Sequence, residues 1–375
     1  MTKLVLKGSP FPKVSVQEIA QQIEGLKKAE KKLPTWFYTK NSLFPKKLNL
    51  EQTSSEITAK YKANLVKGTC LIDLTGGFGV DSFFFSKNID EVTYCEKNEE
   101  LAQLAKHNFQ ELSNRKNTVF HNKNGLDFLN KSDRVFDWIY IDPSRRSNSG
   151  NKVFRLEDCA PNLMDCLPLL MEKSKNILIK TAPLLDLNLG ISALKNVCEI
   201  HIVAVSNEVK ELLWILNSKT GNDQIPIKTI NFNKGKTEKF ESSLKKEQGL
   251  PQQISEPLRF LYEPNSAIMK SGLFNSVSEK FDLPKLHANS HLYTSKKLID
   301  FPGRTFEISK VLPFKPKLLK REFSTKKANI ATRNFPQPVD QIKAKLGLKD
   351  GGDEYLFFTT DFEERKTVLV CKKIV

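Results

Sequence analysis

The stretch CLIDLTGGFGVD, Cys70 to Asp81, decides how the rest of the chain is read. A short apolar run closes on Asp73, the glycines Gly76, Gly77 and Gly79 crowd the turn that follows, and a helix entrance comes next. Glycine takes positive φ at no steric cost and lets the backbone come close to a ligand, so such a turn after a buried strand can press its amides against a small molecule. The spacing is not G-x-G-x-x-G, and G-x-x-x-x-G-K-[ST] does not occur, so phosphate-cradling loops lose support.

On the C-terminal side of the turn, strands and helices alternate, the pattern of a mainly parallel sheet covered on both faces. Strands are expected at Cys70–Leu74, Glu91–Cys95, Thr118–His121, Phe136–Ile141, Asn176–Lys180 and Ile200–Ser206, with Ile225–Phe232 as one more. Glu208–Asn217 suits a helix or a returning antiparallel strand, and the strand is the favoured reading. Glu96 closes the second strand 17 residues after Gly79, where a carboxylate can accept both hydroxyls of a ribose; the bland alternative is a solvated strand end. The third strand ends in Asn122-Lys123-Asn124-Gly125-Leu126-Asp127, polar groups placed to meet an adenine edge, and the fourth in Asp142-Pro143-Ser144-Arg145-Arg146.

On the N-terminal side, residues up to about Lys67 read as amphipathic helices, with Val16–Leu26 a good helix and Lys27–Lys32 a solvated charge run. Ser54 and Ser55 stand before the helix Ile57–Leu65; they either cap it only or also line the ligand site. Asn233–Lys246 reads as a polar, Lys-rich linker, and beyond Pro251 the alternation gives way to a small α+β module closed by a hairpin around Asp361–Arg365. The expected division is an N-terminal helical region (1–66), a ligand-binding α/β domain (67–232), a linker plus α+β module (233–312) and a basic C-terminal domain (313–375).

With 59 Lys and Arg against 43 Asp and Glu, the chain carries a formal charge of +16, a field that attracts polyanions such as nucleic acid. Over half of that excess lies in Lys310–Lys349, where 11 basic and 2 acidic residues leave a net +9. Six scattered cysteines without a CxxC pair fit reduced core thiols better than zinc or disulfides, so no metal is expected. No apolar run is long enough to cross a bilayer and the N-terminus lacks a secretory pattern, which makes the cytoplasm the expected location.

Taken together, the residues of 69–232 resemble class I S-adenosylmethionine-dependent methyltransferases, and the fold implied is a Rossmann-like α/β sheet. The resemblance implies that Asp73, Thr75, Gly77 and Gly79 meet the methionine end of S-adenosyl-L-methionine, Glu96 the ribose, and Asn124 or Asp127 the adenine, with Ser54 and Ser55 alongside. The chain departs from the family pattern at Thr75, where glycine is commoner. More specifically it resembles a bacterial group with a THUMP-like C-terminal domain, through EQTSSEITAKYK (Glu51–Lys62), DPSRR with GNKVFRLEDCAPNL (Gly150–Leu163), YEPNSAIMKSG (Tyr262–Gly272), NSHLYTS (Asn289–Ser295) and ANIATRNFP (Ala328–Pro336). THUMP domains bind RNA, so this resemblance implies an RNA substrate, in agreement with the charge.

Methyltransferases acting on exocyclic amines resemble one another in a [D/N]-P-P-[aromatic] sequence at the fourth strand. A carboxylate and a backbone carbonyl accept the two N–H bonds and localise the nitrogen lone pair, and positioning supplies most of the acceleration. Here Asp142 and the Pro143 carbonyl are available, but Ser144 and Arg145 replace the second proline and the aromatic. Uridine C5 enzymes resemble the D-P-x-R arrangement, yet they need a cysteine after the fifth strand, and this chain has Ile179-Lys180-Thr181-Ala182-Pro183. Lys180 is then a solvated strand end or a phosphate contact, and Ser144, Arg145, Arg146 and Arg155 are substrate-side candidates, the arginines either RNA-backbone clamps or surface charge. The group Tyr262, Asn265, Asn289, His291 and Tyr293 could stack bases but reads slightly better as a buried core. The expected activity is methylation of RNA at an exocyclic base nitrogen such as guanine N2. The competing reading is a non-catalytic RNA-binding factor on a retained scaffold; DNA or a basic protein as acceptor is a third.

Overall fold

The structure is a computed structural model that describes residues 9–145, 156–217, 224–323 and 327–374. It comprises two compact units, Met1–Cys198 with Leu213–Gly221, and Glu199–Leu212 with Asn222–Val375.

The first unit begins with the helices α1 (Val16–Lys32), α2 (Pro34–Tyr38), α3 (Lys47–Gln52) and α4 (Glu56–Ala63). A capping box starts α1: Ser15 Oγ accepts from the Glu18 N–H while the Glu18 carboxylate accepts from the Ser15 N–H at 2.7 Å. The helix continues through the Lys27–Lys32 run, which is only partly solvated: Ala29 is buried, and Lys32 Nζ donates to the Leu50 and Glu51 carbonyls at 2.8 Å.

Alternating elements follow: β1 (Gly68–Asp73), α5 (Val80–Asn88), β2 (Ile89–Cys95), α6 (Glu99–Leu112), β3 (Thr118–His121), α7 (Gly125–Lys131), β4 (Phe136–Ile141), the small paired strands β5 (Ser144–Arg145) and β6 (Cys159–Ala160), α8 (Leu163–Lys173), β7 (Ser174–Thr181) and α9 (Leu187–Leu194). The main strands lie side by side in the order β3-β2-β1-β4-β7, all parallel. Leu71, Ile72, Ile139, Ile141, Ile177, Leu178 and Ile179 are sealed from water, as expected of strands covered on both faces. The chain leaves β1 toward β2 and β3 on one side, and β4 and β7 lie on the other. In a sheet of this kind the ligand crevice forms outside the carboxyl ends of the strands where the order reverses, here β1 and β4.

The chain passes between the units within β8 (Val197–Val205) and again within β9 (Glu208–Asn217). Ser206 and Asn207 join them with φ of 52° and 61°, the two positive φ values of a tight type I′ hairpin, so β9 returns antiparallel. The strand reading of Glu208–Asn217 therefore holds. Its stretch Leu212–Leu216 is buried on both faces, which is why periodicity alone left a helix open. Within the first unit Leu213–Asn217 runs antiparallel along β7, with Trp214 Nε1 donating to Thr181 Oγ1 at 2.9 Å and Asn217 Nδ2 to Asn176 Oδ1 at 2.8 Å. This is a Rossmann-like α/β fold.

In the second unit β8 pairs in parallel with β10 (Pro226–Asn233), which pairs antiparallel with β11 (Lys236–Ser243). The expected linker at Asn233–Lys246 is thus mostly strand. Only alternate residues of β11 turn inward, around the buried Phe240, and an edge strand needs few apolar anchors while its charged outer face protects it from pairing. The elements α10 (Leu244–Gly249), β12 (Phe260–Pro264), α11 (Ser266–Ser271), α12 (Phe274–Phe281), β13 (Tyr293–Ser295), β14 (Gly303–Pro313), α13 (Pro316–Glu322), β15 (Asn329–Arg333), α14 (Val339–Leu346), β16 (Glu354–Thr360) and β17 (Lys366–Lys373) complete the unit. A six-stranded sheet in the order β13-β12-β14-β17-β16-β15 joins residues on both sides of position 312. Its core includes Leu261, Phe306, Phe357 and Leu369 on one side and Leu319, Ile342, Leu356 and Val368 on another.

Tyr262 and Tyr293 are buried in this unit, the first bonded to Ser295 and the Lys297 carbonyl, the second to the Phe274 carbonyl. His291 stacks on Phe274 with centroids 3.5 Å apart, and burial pushes its pKa down to about 4. The core reading holds for Tyr262, Asn265 and Tyr293, whereas His291 is half-buried and Asn289 is exposed.

Candidate active site

The strand ends of β1, β2 and β4 bring Asp73, Glu96 and Asp142 to one edge of the sheet. Each carboxylate is engaged differently.

Asp73 is 1% exposed and is spent on the chain itself: it accepts from the Thr75 N–H at 3.0 Å and from the Ser82 hydroxyl, tying the glycine turn to α5. Burial pushes its carboxyl up to about 7 against those two hydrogen bonds, and the charges of Asp81 and Asp142 push the same way.

Glu96 clamps the turn from the side. Its Oε2 accepts from the Gly77 N–H at 2.8 Å and its Oε1 from the Asn98 N–H at 2.7 Å, while the Tyr94 hydroxyl donates to the Gly77 carbonyl at 2.6 Å. Two of the turn's glycines answer to specific demands. Gly77 has φ +55°, with the Thr75 carbonyl oxygen 3.7 Å from where a Cβ would stand, whereas a Cβ on Gly76 would stand 2.1 Å from the Tyr94 ring. Gly125, at the start of α7, presses as closely on Leu74: a Cβ there would lie 2.3 Å from the Leu74 carbonyl oxygen.

Asp142 is fixed from two directions. Its N–H donates to Thr75 Oγ1 at 2.7 Å, so the threonine that departs from the family pattern links the turn to the end of β4. Its Oδ2 is ion-paired with Lys180, at the end of β7, whose side chain is 15% exposed. Lys180 is therefore not a solvated strand end. The register explains the meeting, because Ile141 pairs with Ile179 and the next residue on each strand is the charged one.

A further cluster lies at the start of α5. Asp81 accepts from Ser54 Oγ at 2.8 Å and Tyr140 OH at 2.8 Å and pairs with Lys62 at 3.1 Å; Lys62, which has no exposed side-chain surface, also donates to Ser54 at 2.8 Å. Burial works against the Asp81 charge, but Lys62, then Lys180, with the bonds from Ser54 and Tyr140, hold its carboxyl below the usual range.

Of the residues singled out in the sequence, Ser54 joins the Asp81 cluster and Ser55 caps α4, accepting from the Thr58 N–H at 3.4 Å. Asn124 caps α7 by accepting from the Leu126 and Asp127 N–H groups, and Asp127 stands exposed in that helix's first turn. Ser144 sits in the β5–β6 pair, its hydroxyl donating to the Ala160 carbonyl at 3.3 Å. The Arg145 side chain, Arg146 and Arg155 lie outside the described residues. Lys62, Asp81, Tyr140 and Lys180 went unnoticed in the sequence as members of one site. A lysine ending the apolar run of β7 and an acid two residues after Gly79 were the available signals.

The arrangement suits a cationic, hydroxyl-bearing ligand. A Cβ at Gly77 would meet the Thr75 carbonyl oxygen only at ordinary contact distance, 3.7 Å, and Glu96, a carboxylate able to accept about four hydrogen bonds, has spent two on backbone. A structure of a protein from Porphyromonas gingivalis W83, assigned as a methyltransferase, is similar to this chain at 32% identity, over 100% of this chain and 94% of the other, with a TM-score of 0.89. The chain belongs to that methyltransferase family. S-adenosylmethionine is the cofactor of this methyltransferase, and the turn and Glu96 are groups that could hold it. Family models match residues 37–182 (conserved hypothetical protein 95), 260–302 (a ferredoxin-like domain) and 303–373 (a THUMP domain-like segment). Mycoplasma capricolum TrmK with S-adenosylhomocysteine is a remote likeness, 14% identical over 44% of this chain and 70% of the other, at a TM-score of 0.35. No curated protein matches the methyltransferase. Among the described residues, no helix is long and apolar enough to cross a membrane, and no group of three or more His, Cys, Asp or Glu could hold a metal ion.

Proposed function

We propose that this methyltransferase acts on RNA, at an exocyclic base nitrogen such as guanine N2. The observation that carries the reading is Asp142-Pro143 at the end of β4, tied through Thr75 to the turn that serves the cofactor. When bound, S-adenosylmethionine would supply an electrophilic methyl for the acceptor nitrogen, and the proton the amine gives up would pass to the Asp142 carboxylate that accepts its N–H. Asp142 and the Pro143 carbonyl accept the amine's N–H bonds and orient its lone pair, which asks for placement rather than for a strong base. In this reading Glu96 takes the ribose hydroxyls, the Thr75–Gly79 backbone receives the methionine end, with Asp73 fixing the turn beneath it, and Asn124 or Asp127 stands at the adenine. Ser54 and Ser55 flank that site, and Ser144, Arg145, Arg146 and Arg155 face the acceptor.

RNA is favoured by charge and by the THUMP-like segment. Lys315, Lys317, Lys320, Arg321, Lys345 and Lys349 are all exposed on or beside α13 and α14, a density of cations suited to a phosphate backbone. The functional parts we assign are 67–232 for the chemistry, 313–375 for RNA contact, and 1–66 and 233–312 as their supports.

The test is calorimetry with S-adenosylmethionine beside a methyl-transfer assay on RNA from a strain lacking the gene. Asp142→Ala is expected to retain cofactor binding while transfer is abolished. Unchanged transfer in that variant contradicts the role of Asp142. Cofactor binding with no transfer by the wild-type protein favours the RNA-binding scaffold.

A further inference from the structure

Asp142 is held twice, by its backbone through Thr75 and by its side chain through Lys180. The first bond belongs to the turn. The second is not needed to hold the two strands together. Strands β4 and β7 are already paired along Phe136–Ile141, and their Ile139, Ile141, Ile177 and Ile179 are wholly buried. Its side chains are 15% and 29% exposed, so solvent screens the two charges only in part. Lysine at a strand end ordinarily keeps its ammonium in water. Here it is drawn inward between Asp142, which it contacts, and Asp81, whose charge it also stabilises. The edge of the sheet thus holds two cations and two anions in sequence: Lys62, Asp81, Lys180 and Asp142. Among the described residues nothing bonds to Asp142 Oδ1, while Oδ2 is taken by Lys180.

We propose that Lys180 is the positioning residue of the acceptor side: it turns Asp142 so that Oδ1 is presented, and it balances the negative charge that Asp142 sets opposite the sulfonium. The inference rests on the reading of Asp142 as the acceptor-side carboxylate. Two consequences follow from one contact. Without Lys180 the carboxylate loses its fixed orientation, and its charge acts undiluted on the cofactor. The cofactor and its product are suited to reveal this, because S-adenosylmethionine and S-adenosylhomocysteine differ only by the methyl group and its positive charge.

The experiment is calorimetric titration of both compounds into the full chain, at low ionic strength, for wild type, Lys180→Met, Lys180→Arg, Asp142→Asn and the Lys180→Met/Asp142→Asn double variant. Lys180→Met is expected to shift the preference toward S-adenosylmethionine over S-adenosylhomocysteine by about tenfold, the size of one unbalanced charge at a few ångströms in a partly solvated site. Lys180→Arg is expected to restore the wild-type ratio; Asp142→Asn, which leaves the Lys180 charge unbalanced, is expected to shift the ratio the opposite way by a similar factor, and the double variant to return it toward wild type. A merely structural lysine lowers both affinities together and leaves the ratio unchanged, which overturns the proposal. So does an Asp142→Asn ratio that stays at the wild-type value or moves toward S-adenosylmethionine. Should the Met variant not fold, Lys180→Gln in the same cycle gives the same comparison. These ratios need no acceptor, so a failure to methylate RNA overturns the substrate assignment and leaves them standing.

Discussion

Replacing Asp73 by Asn tests the electrostatics of the turn most severely. The wild-type carboxyl is pushed up to about 7 from its ordinary 3.8, chiefly by burial. A carboxyl raised on folding binds its proton more tightly in the native than in the unfolded state. Its contribution is therefore complete below about pH 4 and is lost as pH rises through about 7. Each unit is worth 1.36 kcal/mol, so between pH 5 and pH 8 the Asp73 contribution should fall by about 2 to 3 kcal/mol. Asn is isosteric and never ionises. Its Oδ1 can accept the Thr75 N–H and its amide can donate to the Ser82 hydroxyl in place of the bond Ser82 now donates. The assay is denaturant unfolding across that range, followed by tryptophan fluorescence. All three tryptophans, Trp36, Trp138 and Trp214, belong to the first unit, so the signal reports on the unit that contains Asp73. Other carboxylates titrate in both proteins, so the informative quantity is the difference between wild type and Asp73→Asn. The variant should gain on wild type as pH rises. A difference that stays flat from pH 5 to pH 8 refutes the reasoning.

Lys62→Met should cost about 3–5 kcal/mol, since it strands the Asp81 carboxylate in a buried cluster, and adding Asp81→Asn should recover part of the loss; the same unfolding experiment reads both. Gly76→Ala forces a methyl against the Tyr94 ring and should cost about 1–3 kcal/mol, together with a loss of S-adenosylmethionine affinity measured by calorimetry. Glu96→Ala removes the acceptor for the Gly77 and Asn98 N–H groups and should weaken S-adenosylmethionine binding by about tenfold or more, with Glu96→Gln between it and wild type in the same titration.

The parts of this site that lie along single elements were legible in the sequence. The strand-turn-helix of Cys70–Asp81 announced itself by an apolar run meeting three glycines, and Glu96 and Asp142 stood out as acids closing apolar strands. What the sequence hid was pairing between elements. Lys180 and Asp142 are 38 residues apart and meet only because β4 and β7 pair in one register. Lys62 and Asp81 meet across a helix that precedes the sheet and one that follows its first strand. Thr75 looked like a tolerated departure and is instead the residue whose hydroxyl receives the Asp142 N–H. Gly125 read as part of a polar strand end, whereas its lack of a side chain is what lets α7 begin against Leu74. Strand β11 was mistaken for a linker because edge strands carry little of the apolar signal by which strands are recognised.

The most direct measurement is mass spectrometry of nucleosides from the RNA of a deletion strain, complemented by the wild-type gene or by Asp142→Ala. The account predicts that one base-methylated nucleoside, carrying its methyl on an exocyclic nitrogen, is missing from the deletion strain, returns with the wild-type gene and stays missing with the variant. An RNA profile that is the same in all of these strains contradicts it.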